Sequence, residues 1–350
     1  MEHADTQNTG RGRRAFITGT AGFIGFHLAE LLLQEGWTVA GYDALTDYYD
    51  VRLKERRHAI LGQHAGFSAT VAMLEDNESL GNAIQQAQPD VIVHLAAQAG
   101  VRYSLENPRA YIEANVIGTF NVMEAARAAQ VDHLLMASTS SVYGANETMP
   151  FDENQKADTP LTIYAATKKA NEAMGHSLAH IYDLPVTMFR FFTVYGPWGR
   201  PDMALFKFTK GILEGTPIDI YNHGDMWRDF TYVEDLVRGI RGLIDAVPGG
   251  PETAVEGDSL SPAAPFRVVN IGNSDKVRLM DFIAAIEEEL GRKAIRNMMP
   301  MQTGDVPATW ADAGLLRRLT GYCPETPFQE GVQRFVRWYR DYYEVDQKPE

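Results

Sequence analysis

Two groups of residues in this chain have the types and spacing for proton chemistry: Tyr164 with Lys168, and upstream of them the hydroxyl-rich run Ser138-Thr139-Ser140-Ser141-Val142-Tyr143-Gly144. A tyrosine and a lysine four residues apart share one face of a helix. A free phenol titrates near pH ~10, too high for a good base at neutral pH. A nearby ammonium favours the phenolate, so the pair makes a tyrosine able to take a proton from a hydroxyl group. The Ser/Thr cluster supplies a hydrogen-bond partner for the same reacting oxygen. This spacing also arises by chance among 15 tyrosines, and an exposed helix pair would look the same, so the elements around it must decide.

Those elements begin at the N-terminus. Ala15–Thr18 reads as a strand and runs into Gly19-Thr20-Ala21-Gly22-Phe23-Ile24-Gly25, a GxxGxxG loop that opens a helix over 23–34. Glycines there let the chain turn tightly and let a pyrophosphate approach the backbone. Free N–H groups and the positive end of the helix dipole then hold the anion. The next strand, 37–42, leads to Asp43. A carboxylate at that point binds the two hydroxyls of an adenosine ribose and repels a 2′-phosphate, which favours NAD over NADP. The strand at 91–95 ends in Leu95-Ala96-Ala97, small residues where a cofactor must cross the sheet edge.

Further strands are expected at 67–71, 134–138, 185–192 and 268–271, and helices at 111–129, 163–182, 279–290 and 328–342. Strands that are continuously apolar and alternate with helices imply a doubly wound α/β fold, a parallel sheet covered on both faces. The expected division is a dinucleotide-binding Rossmann domain over 14–193 and 230–272, and a smaller C-terminal α/β lobe over 194–229 and 273–345. Residues 1–13 read as a disordered tail. The stretch Pro248–Pro265 is rich in Pro, Gly, Ala and Ser without periodicity, and reads as a mobile surface loop.

Composition excludes several function classes. The chain has 350 residues and a formal net charge of −14, which argues against a general binder of nucleic acid or anionic membrane. No apolar run approaches the length of a bilayer span. The single cysteine, Cys323, cannot form an internal disulfide and fits the reducing cytoplasm. The nine histidines show no metal-ligand spacing, so no metal is expected and His94 and His223 are read as structural.

Taken together, these motifs resemble the extended short-chain dehydrogenase/reductases, and within them the nucleotide-sugar epimerases. The resemblance runs from about Arg14 to about Tyr343. It rests on the glycine loop, His94–Gln98, Asn115–Thr119, Ser138–Gly144, Tyr164–Lys168 and Arg228–Asp235. It implies a tightly bound, recycled NAD and a UDP-sugar substrate. Tyr164, Lys168 and Thr139 fall on the family's catalytic positions. Asn115 and Ser138 fall beside the cofactor, and Arg228 falls on an arginine that binds the substrate's pyrophosphate. Many members place an aspartate on adenine near Met73; here that contact falls to backbone or to Asp76. The resemblance also implies a homodimer built through a four-helix bundle of 111–129 and 163–182.

Three segments are similar to the subgroup that epimerises UDP-glucuronate at C4: Gln98–Ser104, Phe191–Ala204 and Met301–Thr309. Thr193, Met203, Ala204, Gln302 and Asp305 are expected on the substrate by that resemblance. A 4-keto uronate is a β-keto acid and loses carbon dioxide readily, so its carboxylate must be held out of line with the ketone. Ser140, Ser141 and Thr193 can donate hydrogen bonds to it, and Arg200 or Arg102 can fork both oxygens. Dehydratases carry an adjacent Asp and Glu, and decarboxylating relatives a Glu, where this chain has only hydroxyls at 139–141. The alternatives left open are 4-epimerisation of a neutral UDP-hexose or UDP-N-acetylhexosamine, and decarboxylation of UDP-glucuronate.

Overall fold

The computed structural model describes residue 10, residues 12–302 and residues 304–345; the expected tail at 1–9 and 11 lies outside them. Six parallel strands follow one another: β1 (Arg14–Thr18), β2 (Thr38–Asp43), β3 (Phe67–Val71), β4 (Val91–His94), β5 (His133–Ala137) and β6 (Val186–Phe191). With Phe266–Ile271 added beside β6 they form a seven-stranded sheet in the order Phe266–Ile271, β6, β5, β4, β1, β2, β3. Every neighbouring pair is parallel. The order reverses between β1 and β4, which opens a crevice at their C-terminal ends, the place where doubly wound sheets bind ligands.

Both faces of the sheet are covered. Helix α1 (Phe23–Gln34) and the helix Val233–Asp245 bury Phe26, Leu32, Leu236 and Ile240 on one face. Helices Thr119–Ala129 and Ile163–Tyr182 bury Val122, Met123, Leu178 and Ala179 on the other. At about 25 cal/mol per Å² these apolar faces supply most of the drive to fold. A separate aromatic core joins Tyr195, Phe206, Phe230, Phe282, Phe335 and Tyr339 around the helices Ala204–Glu214, Leu279–Leu290 and Phe328–Tyr342. Phe230 and Phe282 stack there at 3.9 Å.

Two expectations change. The helix read over 111–129 begins at Pro108, widens into a π-helical turn over Ile112–Gly118, and becomes α-helical from Thr119. The stretch Pro248–Pro265 is tethered rather than loose. The buried Arg267 pairs with Asp258 at 2.9 Å, and His176 meets the Ser261 hydroxyl at 2.8 Å.

Burial holds three histidines neutral. His94 is pushed down to about 3 by burial and then by Lys168; its ring nitrogens meet the hydroxyls of Thr18 and Thr119. His27 and His133 are pushed down to about 4, also mainly by burial. Their folded pKa values lie below the ordinary 6.5, so the unfolded chain takes up protons first as pH falls. This stability is full above pH 6.5 and is lost as pH drops towards 4. Burial raises Glu153 to about 7 and Asp229 to about 6, which gives stability at low pH that fades as pH rises through those values. Three depressed groups outweigh two raised ones. The unfolding temperature, measured by calorimetry, should therefore fall between pH 6.5 and 4; a rise over that range would contradict this account.

Candidate active site

The crevice is a cleft of about 540 Å³ running from the glycine loop to Arg228. At its head, β1 turns at Gly19, whose φ of +83° suits glycine and whose missing side chain would stand 2.9 Å from the Ala96 nitrogen. A Cβ on Gly25 would strike the Gly19 carbonyl at 2.0 Å. The loop is therefore a cradle that side chains would fill. Gly19, Gly22, Phe23, Ile24 and Gly25 line the cleft with Asp43, Leu95, Ala96 and Ala97. Asp43 accepts hydrogen bonds from the Ala21 and Leu45 N–H groups at 2.9 and 2.8 Å. A carboxylate has lone pairs beyond these two for ribose hydroxyls. These residues fit an NAD.

Asp76 does not reach this cleft. It caps helix α2 of the β3–β4 connection (Asn77–Ala87), accepting from the Ser79 N–H at 3.0 Å and the Ser79 hydroxyl at 2.6 Å. Met73, Leu74 and Glu75 line the adenine end instead. Asn115 also differs from expectation. It is fully buried, and its amide brackets Gln98, accepting from the N–H at 2.8 Å and donating to the carbonyl at 3.0 Å. A third hydrogen bond runs to the Thr167 hydroxyl at 3.2 Å. Asn115 thus fixes the loop after β4 against the Tyr164 helix.

The helix Ile163–Tyr182 starts cleanly because Thr162 caps it, its hydroxyl accepting from the Ala165 N–H at 3.2 Å. The cap places Tyr164 in the first turn, facing the cleft, and Lys168 one turn below. Burial raises the Tyr164 pKa, while the Thr139 hydroxyl and the Arg200 guanidinium act to lower it. The Lys168 amine donates to the Ala137 carbonyl at 2.9 Å, and burial pushes its own pKa down to about 8. Arg200 is a cation that acts on Tyr164 from outside that helix.

Thr139, Ser140, Ser141 and Thr193 line the cleft beside Tyr164. Thr139 caps the short turn Ser140–Tyr143 by accepting from the Ser141 N–H at 3.2 Å. Ser138 contributes backbone only, because its hydroxyl donates to Glu172 at 2.6 Å. Arg200 lines the cleft and forks Asp202, with contacts of 3.0 and 2.5 Å. Burial would weaken its charge, and the Asp202 carboxylate more than restores it. Met203 stands beside it in the lining.

At the far end Arg228 lines the cleft, donating to the carbonyls of Trp227 at 2.8 Å and Pro307 at 3.2 Å. Burial lowers its pKa, which marks a cation short of anionic partners. Asp305 lies alongside in the lining and pairs with Arg102 at 3.5 Å. Arg102 itself sits at the rim, outside the lining and half-exposed, with its guanidinium 4.6 Å over Tyr221. Ala204 heads the helix behind Met203 and faces the aromatic core. Gln302 is also outside the lining; its side-chain oxygen is buried without a hydrogen-bond partner among the described residues.

Sequence reasoning missed Lys54 and Tyr48, both in the lining, and Tyr111, whose ring meets Tyr164 edge-on at 5.9 Å. The run Tyr48-Tyr49 with Lys54 and Arg57 was the available signal, a basic and aromatic cluster just after Asp43.

Residues 15–256 match the NAD dependent epimerase/dehydratase family. The chain belongs to this family. It is 58% identical over 335 residues to a probable UDP-glucuronate 4-epimerase of Rhizobium meliloti (strain 1021), covering 94% of this chain and 98% of that protein. It is 43% identical over 346 residues to UDP-glucuronate 4-epimerase 4 of Arabidopsis thaliana, covering 97% and 78%. Among solved structures, the UDP-glucuronic acid 4-epimerase of Bacillus cereus in complex with UDP-glucuronic acid and NAD superposes with a TM-score of 0.84 at 30% identity, covering 94% of this chain and 99% of that one. The two chains share one fold over nearly their whole lengths. Among the described residues no helix is long and apolar enough to cross a membrane, and no three His, Cys, Asp or Glu side chains cluster to hold a metal.

Proposed function

We propose that this enzyme interconverts UDP-glucuronate and UDP-galacturonate by NAD-dependent epimerisation at C4, with Tyr164 as the base. One observation carries the uronate reading. Around Tyr164 the cleft presents Thr139, Ser140, Ser141, Thr193 and Arg200, all donors, with no carboxylate on 139–141. Bound NAD would take the C4 hydrogen as hydride and return it to the other face, and in its oxidised form would add a positive charge near the phenol.

The remaining steps belong to the chain's own side chains. Tyr164, with its proton lost, accepts the C4 hydroxyl proton and gives it back after the ketone turns over. Thr139 donates to the same oxygen. Ser140, Ser141 and Thr193 donate to the carboxylate, with Arg200 as its charged partner. A solvated, fixed carboxylate keeps the C5–C6 bond out of line with the ketone's π system, so carbon dioxide is retained. Arg228 and the N–H groups near it suit the substrate's diphosphate. The division into a Rossmann domain, 14–193 with 230–272, and a substrate lobe, 194–229 with 273–345, places Tyr164 on one part and Arg228 on the other.

The direct experiment supplies UDP-glucuronate to purified protein without added NAD and resolves products by NMR. UDP-galacturonate with its carboxyl carbon intact is expected. A pentose product would favour decarboxylation, and faster turnover of UDP-glucose would favour a neutral-sugar epimerase.

A homodimer is part of the same proposal. Phe120, 51% exposed, and Ile181, 63% exposed, lie on two neighbouring helices that also bear the exposed Ile117 and Ile163 and the small side chains Ala166, Ala170, Ala173 and Ser177. The spacing of three and four makes one continuous stripe on the helix Ile163–Tyr182. Two such pairs pack as a four-helix bundle. Phe120→Glu should shift the protein to monomer in light scattering at micromolar concentration; an unchanged dimer would move the interface elsewhere. The lone cysteine, Cys323, is free and supports a reducing cytoplasmic location.

A further inference from the structure

The loop that brings Arg200 to Tyr164 is bent against its own backbone preference. Gly196 has φ +141° and Trp198 has φ +62°, a left-handed conformation that costs a non-glycine residue about 1 kcal/mol or more. Three contacts hold it there. His27 of α1 is neutral, so the ring nitrogen facing the Pro197 carbonyl at 2.9 Å carries the proton and donates. The Trp198 ring packs on Phe26 of α1 at 5.5 Å and on Trp338 at 5.3 Å. The third contact is Arg57, at the foot of the helix Val51–Leu61.

Arg57 is fully buried and makes no ion pair among the described residues. Nη2 donates to the Trp198 carbonyl at 2.5 Å. Nη1 donates to the Ala21 carbonyl at 2.7 Å and to the Tyr49 hydroxyl at 2.8 Å. Nε has no hydrogen-bond partner. Ala21 lies inside the glycine cradle, and its own N–H is the one that Asp43 accepts. A bare guanidinium spent on two backbone carbonyls is costly to bury, so it earns its place through what it joins.

We propose that Arg57 is a positioning residue that locks the cofactor-binding glycine loop to the loop carrying Arg200. It sets the distance between the hydride acceptor's seat and the cation beside Tyr164 and the carboxylate. This rests on the reading of Arg200 as the carboxylate's partner. Losing the lock lets the two loops move independently. The expected result is two linked defects: weaker retention of NAD and escape of carbon dioxide from the ketone stage. In that escape the C5–C6 bond breaks, carbon dioxide leaves, the electron pair forms an enolate toward C4, and a proton from water at C5 gives a 4-keto-pentose; return to C4 of the hydride removed in the oxidation would then give the pentose.

The test compares full-length Arg57→Lys and His27→Phe with Arg200→Ala and with Arg267→Lys. Arg267 is a buried arginine on the strand Phe266–Ile271 that tethers the 248–265 stretch through Asp258, outside the cleft lining, and serves as the control for loosened packing. The readouts are NAD bound after purification, by absorbance, and the ratio of pentose to UDP-galacturonate, by NMR. Misplacement of a site by about 1 Å costs on the order of 100-fold in rate. Arg57→Lys should lower kcat by about tenfold or more, raise the pentose share several-fold and lower retained NAD. His27→Phe, which removes one donor and keeps the ring, should move both readouts the same way by less. Arg267→Lys should move neither beyond its loss of thermal stability. The proposal falls if Arg57→Lys and His27→Phe leave the product ratio at the native value while Arg200→Ala changes it. It also falls if Arg267→Lys shifts the ratio equally. If Arg200→Ala leaves the ratio unchanged as well, the reading of Arg200 itself is what has failed.

Discussion

Replacing Tyr164 by phenylalanine should lower turnover by about 100- to 10,000-fold, the range that a positioned acid–base group contributes. The substitution keeps the ring that meets Tyr111 at 5.9 Å and removes only the oxygen. No neighbour can replace it. Thr139 is a hydrogen-bond donor with no usable basicity, and Lys168 is directed at the Ala137 carbonyl. NAD should stay bound, because the glycine loop and Asp43 hold it. The checks are product formation by NMR and cofactor content by absorbance. Turnover within threefold of the native rate would refute Tyr164 as the base.

The second large effect lies beneath the site. Glu172 and Arg190 form a buried pair, with contacts of 2.9 and 2.8 Å and side chains only 4% and 3% exposed. Ser138 donates to the same carboxylate, and Arg190 lies 4.7 Å over the Tyr143 ring. Burial alone would raise the Glu172 pKa, but the Arg190 hydrogen bonds and charge hold it below the usual carboxylate range. Its contribution is therefore full above the ordinary 4.5 and is lost as pH falls through the folded value. Glu172→Ala strands the Arg190 charge and should cost about 3–5 kcal/mol. In a chain of this size that is a drop of roughly 5 °C in unfolding temperature, read by calorimetry. Replacing both residues by methionine should recover much of the loss, since no charge is then left alone. A single variant as stable as the native protein would show that the pair is not the support for Ser138 described above.

Some of this was legible in the sequence because it is local. The strand, the three glycines and Asp43 are one short stretch, and their chemistry depends on backbone turns and a helix start. Tyr164 and Lys168 share a helix face for the same reason. What each side chain does within that face depends on distant residues. The sequence pairs Lys168 with Tyr164 on one helix; folding also sets the Lys168 amine against the Ala137 carbonyl at the end of β5 and brings Arg200 towards the phenol from a loop that follows β6.

The helix Val51–Leu61 escaped notice because its inward face mixes Leu53 and Leu61 with two cations. Lys54 and Arg57 are buried there, so the apolar period that announces a helix is missing. The same burial is what makes Arg57 informative once the structure is known. Asp76 and Asn115 were named for the cofactor and turn out to cap a helix and bracket Gln98. Both are short polar side chains, which satisfy nearby backbone groups as readily as a ligand. The Pro248–Pro265 composition suggested mobility, but the Arg267–Asp258 pair joins that stretch to the sheet strand Phe266–Ile271.

The most direct measurement uses UDP-glucuronate deuterated at C4, with holoenzyme as purified and no added cofactor. If the C4 hydrogen leaves to a held NAD and returns to the opposite face, UDP-galacturonate should keep the deuterium at C4 and its full carbon skeleton. Washout of the label into solvent, or transfer to a second added nucleotide, would contradict the account.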